Sequence, residues 1–128
     1  MPKSIIIHEQ GGPEVLKLES TNVASPGPEE IKVKNTAIGL NFIDTYHRSG
    51  LYKIKLPSGI GMEGAGIVQE VGSKVNKFNK GDRIAYSSMP LGSYSDERCI
   101  PSEIAVKIPE GVSAVSYTHL TLPTKRIV

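Results

Sequence analysis

The sequence predicts a β-rich domain, a barrel or a sandwich of about eight short strands. Three observations carry that expectation. Gly and Pro are frequent, at 13 and 9 residues in a chain of 128, more turn chemistry than a helical protein uses. Val and Ile recur in short runs, several of them with the apolar–polar alternation of a half-buried strand. Turn signals break the chain at the close spacing of all-β folds, with no long amphipathic helix, internal repeat or low-complexity segment between them.

Taken in order, Lys3–His8 (KSIIIH) is a β-branched run stopped by Gly11-Gly12-Pro13, and Val15–Ser20 (VLKLES) alternates. Together they predict a hairpin across the Gly-Gly-Pro loop. Ala24–Glu30 (ASPGPEE) is a loop, because two prolines and a glycine cannot serve a central strand. Glu30–Ile38 alternates again and predicts a strand. Leu40–Arg48 makes either one helical turn with Asn41 as its N-cap or a plain turn. Leu56-Pro57 to Gly61 is a break. Gly64–Val71 is a strand that ends in a turn at Gly72-Ser73, and Lys77–Lys80 is a polar turn. Gly81–Tyr86 is a strand entered through a Gly-Asp turn. Met89–Gly92 is a loop, Ser93–Ile100 a strand, and Ser102–Ile108 runs on to Pro109-Glu110-Gly111.

Composition narrows the function. Hydrophobic residues make up 38% of the chain, enough for one core, and a domain of this size buries roughly two thirds of its unfolded surface. The 15 basic and 13 acidic residues are interspersed and leave a formal net charge of +2, too weak and too mixed for a nucleic-acid surface. No apolar run reaches membrane-spanning length. Cys99 is the single cysteine, so there is no internal disulfide and no thiolate cluster for zinc. The N-terminus MPKSIIIHEQ is neither a secretion signal nor a transit peptide, and a reducing, cytoplasmic setting is expected.

The chemistry concentrates in Ala37–Tyr52 (AIGLNFIDTYHRSGLY), where a strand gives way to a loop. Asn41, Asp44, Tyr46, Arg48 and Tyr52 follow one another in an apolar setting, as polar groups beside a pocket do. They read equally as turn chemistry, since Asn and Asp bond nearby backbone. Gly61–Gly66 (GMEGAG) is followed by a β-branched strand where a phosphate cradle needs a long helix, so its glycines read as positions of close backbone packing. Glu63 within it is either a buried structural carboxylate or a site residue. His8 and His47 read as surface or packing residues, and Cys99 as a small filler rather than a nucleophile. No hydrolase motif is present.

Four stretches, in order, resemble a known family: GGPEVLKLE at Gly11–Glu19, NFIDTYHRSGLY at Asn41–Tyr52, LPSGIGMEGAGIV at Leu56–Val68, and KGDRIAY at Lys80–Tyr86. They are similar to the zeta-crystallin-like NADPH:quinone oxidoreductases of the medium-chain dehydrogenase/reductase superfamily, the bacterial ones especially, over residues 1–113. The resemblance implies a GroES-like, partly open β-barrel with short helical turns, followed in the family by a Rossmann domain. It implies NADPH in the cleft between the two, a quinone as substrate and a homodimer, with no nucleic-acid or membrane partner. Asn41, Tyr46, Tyr52 and Arg48 fall at positions implied to face the cofactor, and Asp44, Tyr52 and Glu63 at positions implied to border the substrate. Zinc enzymes of the superfamily have a cysteine opening this loop and a Gly-His-Glu after it. Here those positions hold Asn41 and Gly61-Met62-Glu63, poor zinc ligands, and no metal is expected. Related readings are an enone or enal reductase and a stand-alone GroES-like binding module.

The resemblance stops after Ser113, before the family's Rossmann strand, Gly-rich turn and helix. Val115–Thr124 (VSYTHLTLPT) reads instead as the translation of a transposase-end adapter used in DNA library preparation. Residues 114–128 are therefore expected to be adapter-derived, the family's Rossmann domain to be missing, and the chain by itself to be inactive.

Overall fold

The computed structural model describes residues 2–114. Among these residues eight strands and the helix α1 follow in the order β1 (Lys3–Ile7), β2 (Lys17–Ser20), β3 (Glu30–Gly39), α1 (Phe42–Ser49), β4 (Ser58–Gly59), β5 (Glu63–Val71), β6 (Arg83–Ser87), β7 (Glu97–Pro101) and β8 (Ala105–Lys107). All pairings are antiparallel. One sheet has the order β2-β1-β4 and the other β7-β3-β5-β6-β8. A bridge between Ser4 and Ser95 joins them, with Ile5 N–H donating to Tyr94 O at 2.8 Å. Together they make the expected partly open, mainly β barrel.

The expected hairpin forms in register, Lys3 opposite Ser20 and Ile6 opposite Lys17, with a 3-10 turn at Pro13–Val15 where the strand was expected to begin. Strand β3 buries Ile31 and Val33 on one face, as its alternation requires, and pairs with β5 along nearly its whole length. Ile31, Val33, Val68, Phe78, Ile84, Tyr86, Ile100 and Ala105 form the main core. A second cluster of Ile7, Val15 and Ile60, with Tyr94 packed against it, fills the smaller sheet.

Four local expectations need correction. Lys77–Lys80 is not a wholly polar turn: Phe78 enters the core while Lys77 Nζ sits over its ring at 5.6 Å. Residues 93–96 do not extend β7. Ser95 N–H turns back to Ser93 O at 2.9 Å, and Tyr94 N–H pairs instead with Ile60 O at 3.0 Å. Residues 102–104 form a 3-10 turn before β8. Within the supposed break at 56–61, Ser58 and Gly59 pair with Ile7 and Ile6 as β4, a strand too short to leave a periodic signal.

The glycines of the GMEGAG segment do pack closely. A side chain at Gly64 would meet Tyr86 Oη at 2.7 Å, and one at Gly66 would run into Lys34 O and Val33 on the paired strand. This lets β5 lie covered on both faces from Glu63 to Gly66. Of the expected tail at 114–128, only Ala114 falls within the described residues; it packs beside Ala65, Ala85 and Ile108.

Candidate functional site

Strand β3 delivers the chain to one rim of the barrel and α1 begins there. Asn41 is the N-cap, with extended backbone, and Gly50 closes the helix in the left-handed conformation (φ 99°) with its N–H donating to Tyr46 O. The Asn41 N–H donates to Asp44 Oδ2 at 3.1 Å, so the third helical residue reaches back to the cap. The helical alternative for this loop therefore holds, and over two turns rather than one.

The side chains of α1 are disposed unusually. Asp44 and His47 are its buried residues. Tyr46 is 37% exposed, Phe42 71%, and the flanking Leu40 and Leu51 are 72% and 66% exposed. Asp44 Oδ2 accepts a second hydrogen bond from Tyr94 Oη at 2.6 Å. Burial first, and then this bond and the nearby carboxylate charge, raise the Tyr94 phenol well above its ordinary value.

Asn41 faces the other way with its side chain. Its Nδ2 donates to Glu63 Oε1 at 3.1 Å, and Glu63 is 2% exposed. Gly39 stands directly opposite Glu63 on the paired strand, and any side chain there would overlap the carboxylate. Glu63 is thus a buried, hydrogen-bonded carboxylate that holds Asn41.

The far end of the loop is tied to the β1–β2 connection. Arg48 Nε donates to Gly11 O at 3.2 Å, and Gly11 N–H returns to Arg48 O at 2.8 Å. Gln10 Nε2 donates to His47 O and Tyr52 O, each at 3.0 Å. Tyr52 N–H closes onto Tyr46 O at 3.3 Å, so the Tyr46 and Tyr52 rings meet edge to face, 5.7 Å between centroids. Among the described residues neither tyrosine hydroxyl has a hydrogen-bond partner.

The structure thus brings Tyr46 and Tyr52 together toward the C-terminal end of α1 and holds Asn41 at its N-terminal end. It places Asp44 and Glu63 behind them, and it spends the Arg48 Nε on the loop. Tyr94 and Gln10 were missed from sequence. Tyr94 lies far along the chain from its partner, with no local signal, whereas Gln10 sits beside the GGPEV motif and was within reach. His8 pairs with Glu19 at 2.6 Å on the surface. Cys99 donates to Ala24 O, and burial, with Glu30 nearby, raises its thiol, the opposite of what a nucleophile needs. Among the described residues no three His, Cys, Asp or Glu side chains gather, and no helix is long and apolar enough to cross a membrane.

An open antiparallel barrel with a capped helix and an aromatic pair at its rim is the domain class these observations define. Residues 27–110 match the alcohol dehydrogenase GroES-like domain family, and the chain belongs to it. It is 53% identical over 113 residues to a quinone oxidoreductase of Pseudomonas aeruginosa, covering 88% of this chain and 35% of that protein. It is 43% identical over 114 residues to a 2-haloacrylate reductase of a Burkholderia species, covering 86% and 34%. The crystal structure of Escherichia coli quinone oxidoreductase complexed with NADPH superposes with a TM-score of 0.86 at 48% identity, covering 88% of this chain and 35% of that one. The chain spans about a third of the length of the relatives it matches.

Proposed function

We propose that this domain forms one wall of the active-site cleft of an NADPH-dependent quinone reductase. The observation that carries the reading is the rim itself. Two half-exposed tyrosine rings with open hydroxyls pack toward the C-terminal end of the helix whose N-cap, Asn41, is pinned by a buried carboxylate. Flat apolar surface with a few fixed polar groups suits a nicotinamide ring and a quinone.

When bound, NADPH supplies the reducing equivalents, and the protein's part is orientation. Asn41, held at both its backbone and its side chain, presents a group whose ordering entropy is already spent in folding. Tyr46 and Tyr52 offer hydroxyls and ring edges on the cofactor side, with Tyr52 shared by the substrate. Asp44 and Glu63 serve the pocket from behind, and Arg48 holds the loop shut on Gly11. The donor set at the rim favours a metal-free site, since an asparagine amide bonded to Glu63 and a neutral methionine thioether stand where the superfamily's zinc enzymes use thiolate and imidazole ligands. In the whole protein a dinucleotide-binding domain forms the other wall and subunits pair as homodimers.

The test replaces the corresponding domain of the P. aeruginosa quinone oxidoreductase with residues 2–114. Quinone-dependent NADPH oxidation is expected, with Asn41→Ala lowering kcat/KM about ten-fold or more. A folded but inactive chimera overturns the reading. The purified chain alone is expected to show no oxidation above a no-enzyme blank, and turnover there would overturn its assignment as inactive by itself. The similarity to 2-haloacrylate reductase supports a second reading, reduction of an activated carbon–carbon double bond. The same chimera, offered a quinone and a 2-haloacrylate in parallel, separates the two.

A further inference from the structure

Asn41 is held by two routes that start from the same short segment. Through its side chain it is fixed by Glu63 at 3.1 Å. Through its backbone it is fixed by Asp44 at 3.1 Å, and Asp44 is fixed in turn by Tyr94 at 2.6 Å. Tyr94 is anchored beside Gly61. Gly92 and Ser93 N–H groups both donate to Gly61 O, Tyr94 N–H donates to Ile60 O, and the Tyr94 ring occupies the space a side chain at Gly61 would fill. Gly61 has φ 98°, a conformation that favours glycine, and it is buried. The contacts therefore close a ring from Gly61 through Tyr94, Asp44 and Asn41 to Glu63, two residues from where it began.

We infer that Tyr94 is a positioning residue for Asn41: its hydroxyl holds Asp44 against the start of α1 and so sets the orientation of the Asn41 amide at the rim. The inference rests on the reading of Asn41 as a cofactor-facing group. A closed ring of this kind fixes a polar group more narrowly than either bond alone, because neither half can relax without breaking the other. A phenol that burial and Asp44 both keep protonated is a dependable donor across the physiological range.

The experiment is NMR on the full chain with the Tyr94→Phe variant, which keeps the ring against Ile7, Val15 and Ile60 and removes only the hydroxyl. The Asn41 side-chain amide pair is expected to move, and backbone amides at the start of α1 to exchange about ten-fold faster, while β3 and β5 amides exchange as before. Loss of packing alone would speed exchange across the β1–β4 cluster without singling out Asn41. An Asn41 pair at its wild-type position in a folded variant overturns the inference. Should the variant not fold, the wild-type chain decides: the Tyr94 hydroxyl proton is expected as a slowly exchanging resonance with cross-peaks to Asp44, and its absence overturns the inference. NADPH titrated into the wild-type chain tests the underlying reading separately. Shifts gathered at Asn41, Tyr46 and Tyr52 support it. No shift at millimolar cofactor overturns the cofactor role while the Tyr94–Asn41 coupling is still judged on the spectra without NADPH.

Discussion

Replacing Gly39 with alanine should press a methyl onto the buried carboxylate that holds Asn41. Gly39 and Glu63 are directly opposed across β3 and β5. The new methyl would stand 2.8 Å from Glu63 Cδ and 2.9 Å from Oε1, well inside van der Waals contact. Two responses are open. If the carboxylate stays, the overlap is absorbed by strain of about 1–3 kcal/mol, as for other overpacked interiors. If it swings away, the charged hydrogen bond from Asn41 is lost, at about 1.5–3 kcal/mol. The chain takes the cheaper route, so the expected loss is about 1–3 kcal/mol. In a urea titration the midpoint should fall by roughly 1 M with little change in slope.

A double-mutant cycle sharpens the test. In a Glu63→Ala background the clash partner is gone, and Gly39→Ala should cost under about 0.5 kcal/mol, leaving most of its effect as coupling. Equal costs in the two backgrounds would refute the reasoning, because the methyl would then be acting on backbone freedom rather than on the carboxylate.

Two further predictions follow from the same geometry. Tyr86 and Tyr94 are both raised, chiefly by burial, with Arg98 partly offsetting the effect at Tyr86. Above about pH 10 the unfolded chain releases these protons while the folded one keeps them, so the folded state binds more protons and stability should fall as pH rises. Tyr86→Phe should shallow that fall, and denaturant midpoints that stay flat or rise through about pH 9–11 would contradict the assignment. At the rim, Leu40→Ser with Leu51→Ser should roughly halve the fluorescence of a hydrophobic dye on the chain and reduce its self-association, with the urea midpoint nearly unchanged. Undiminished dye binding would place the exposed apolar surface elsewhere.

Much of this architecture was legible because strand signals are local. Alternation in β3, Gly punctuation around β5 and the Gly-Asp entry to β6 each describe a few adjacent residues, and each element formed where its pattern lay. The N-cap at Asn41 was readable for the same reason. What escaped was set by distant partners. Ser93–Asp96 has the composition of a strand, yet its backbone turns to meet Ile60, Gly61 and Lys3. Phe78 sits among lysines and asparagines in sequence, and only the closing of the sheets shows that its ring points inward. Asp44 looked like a turn residue or a ligand, and its role became visible only once Tyr94 was brought beside it from the far side of the chain.

Helix α1 is the place where local reading and fold disagree most, and the disagreement has a direction. A helix formed only for stability would turn Phe42 and Tyr46 to the core and Asp44 and His47 to water. This one does the reverse. Burying Asp44 demands hydrogen bonds from Asn41 and Tyr94 to offset desolvation, and even so Asp44 Oδ1 and His47 Nδ1 lack partners among the described residues. Exposing Leu40, Phe42 and Leu51 forgoes apolar burial worth about 1.5–3 kcal/mol for each side chain fully covered. Neither choice helps the isolated domain. Both follow if the outward face is shaped for an apolar occupant and the inward polar groups exist to hold that face still. The cost in stability then falls where a binding surface is built, as expected when local rules are broken for function.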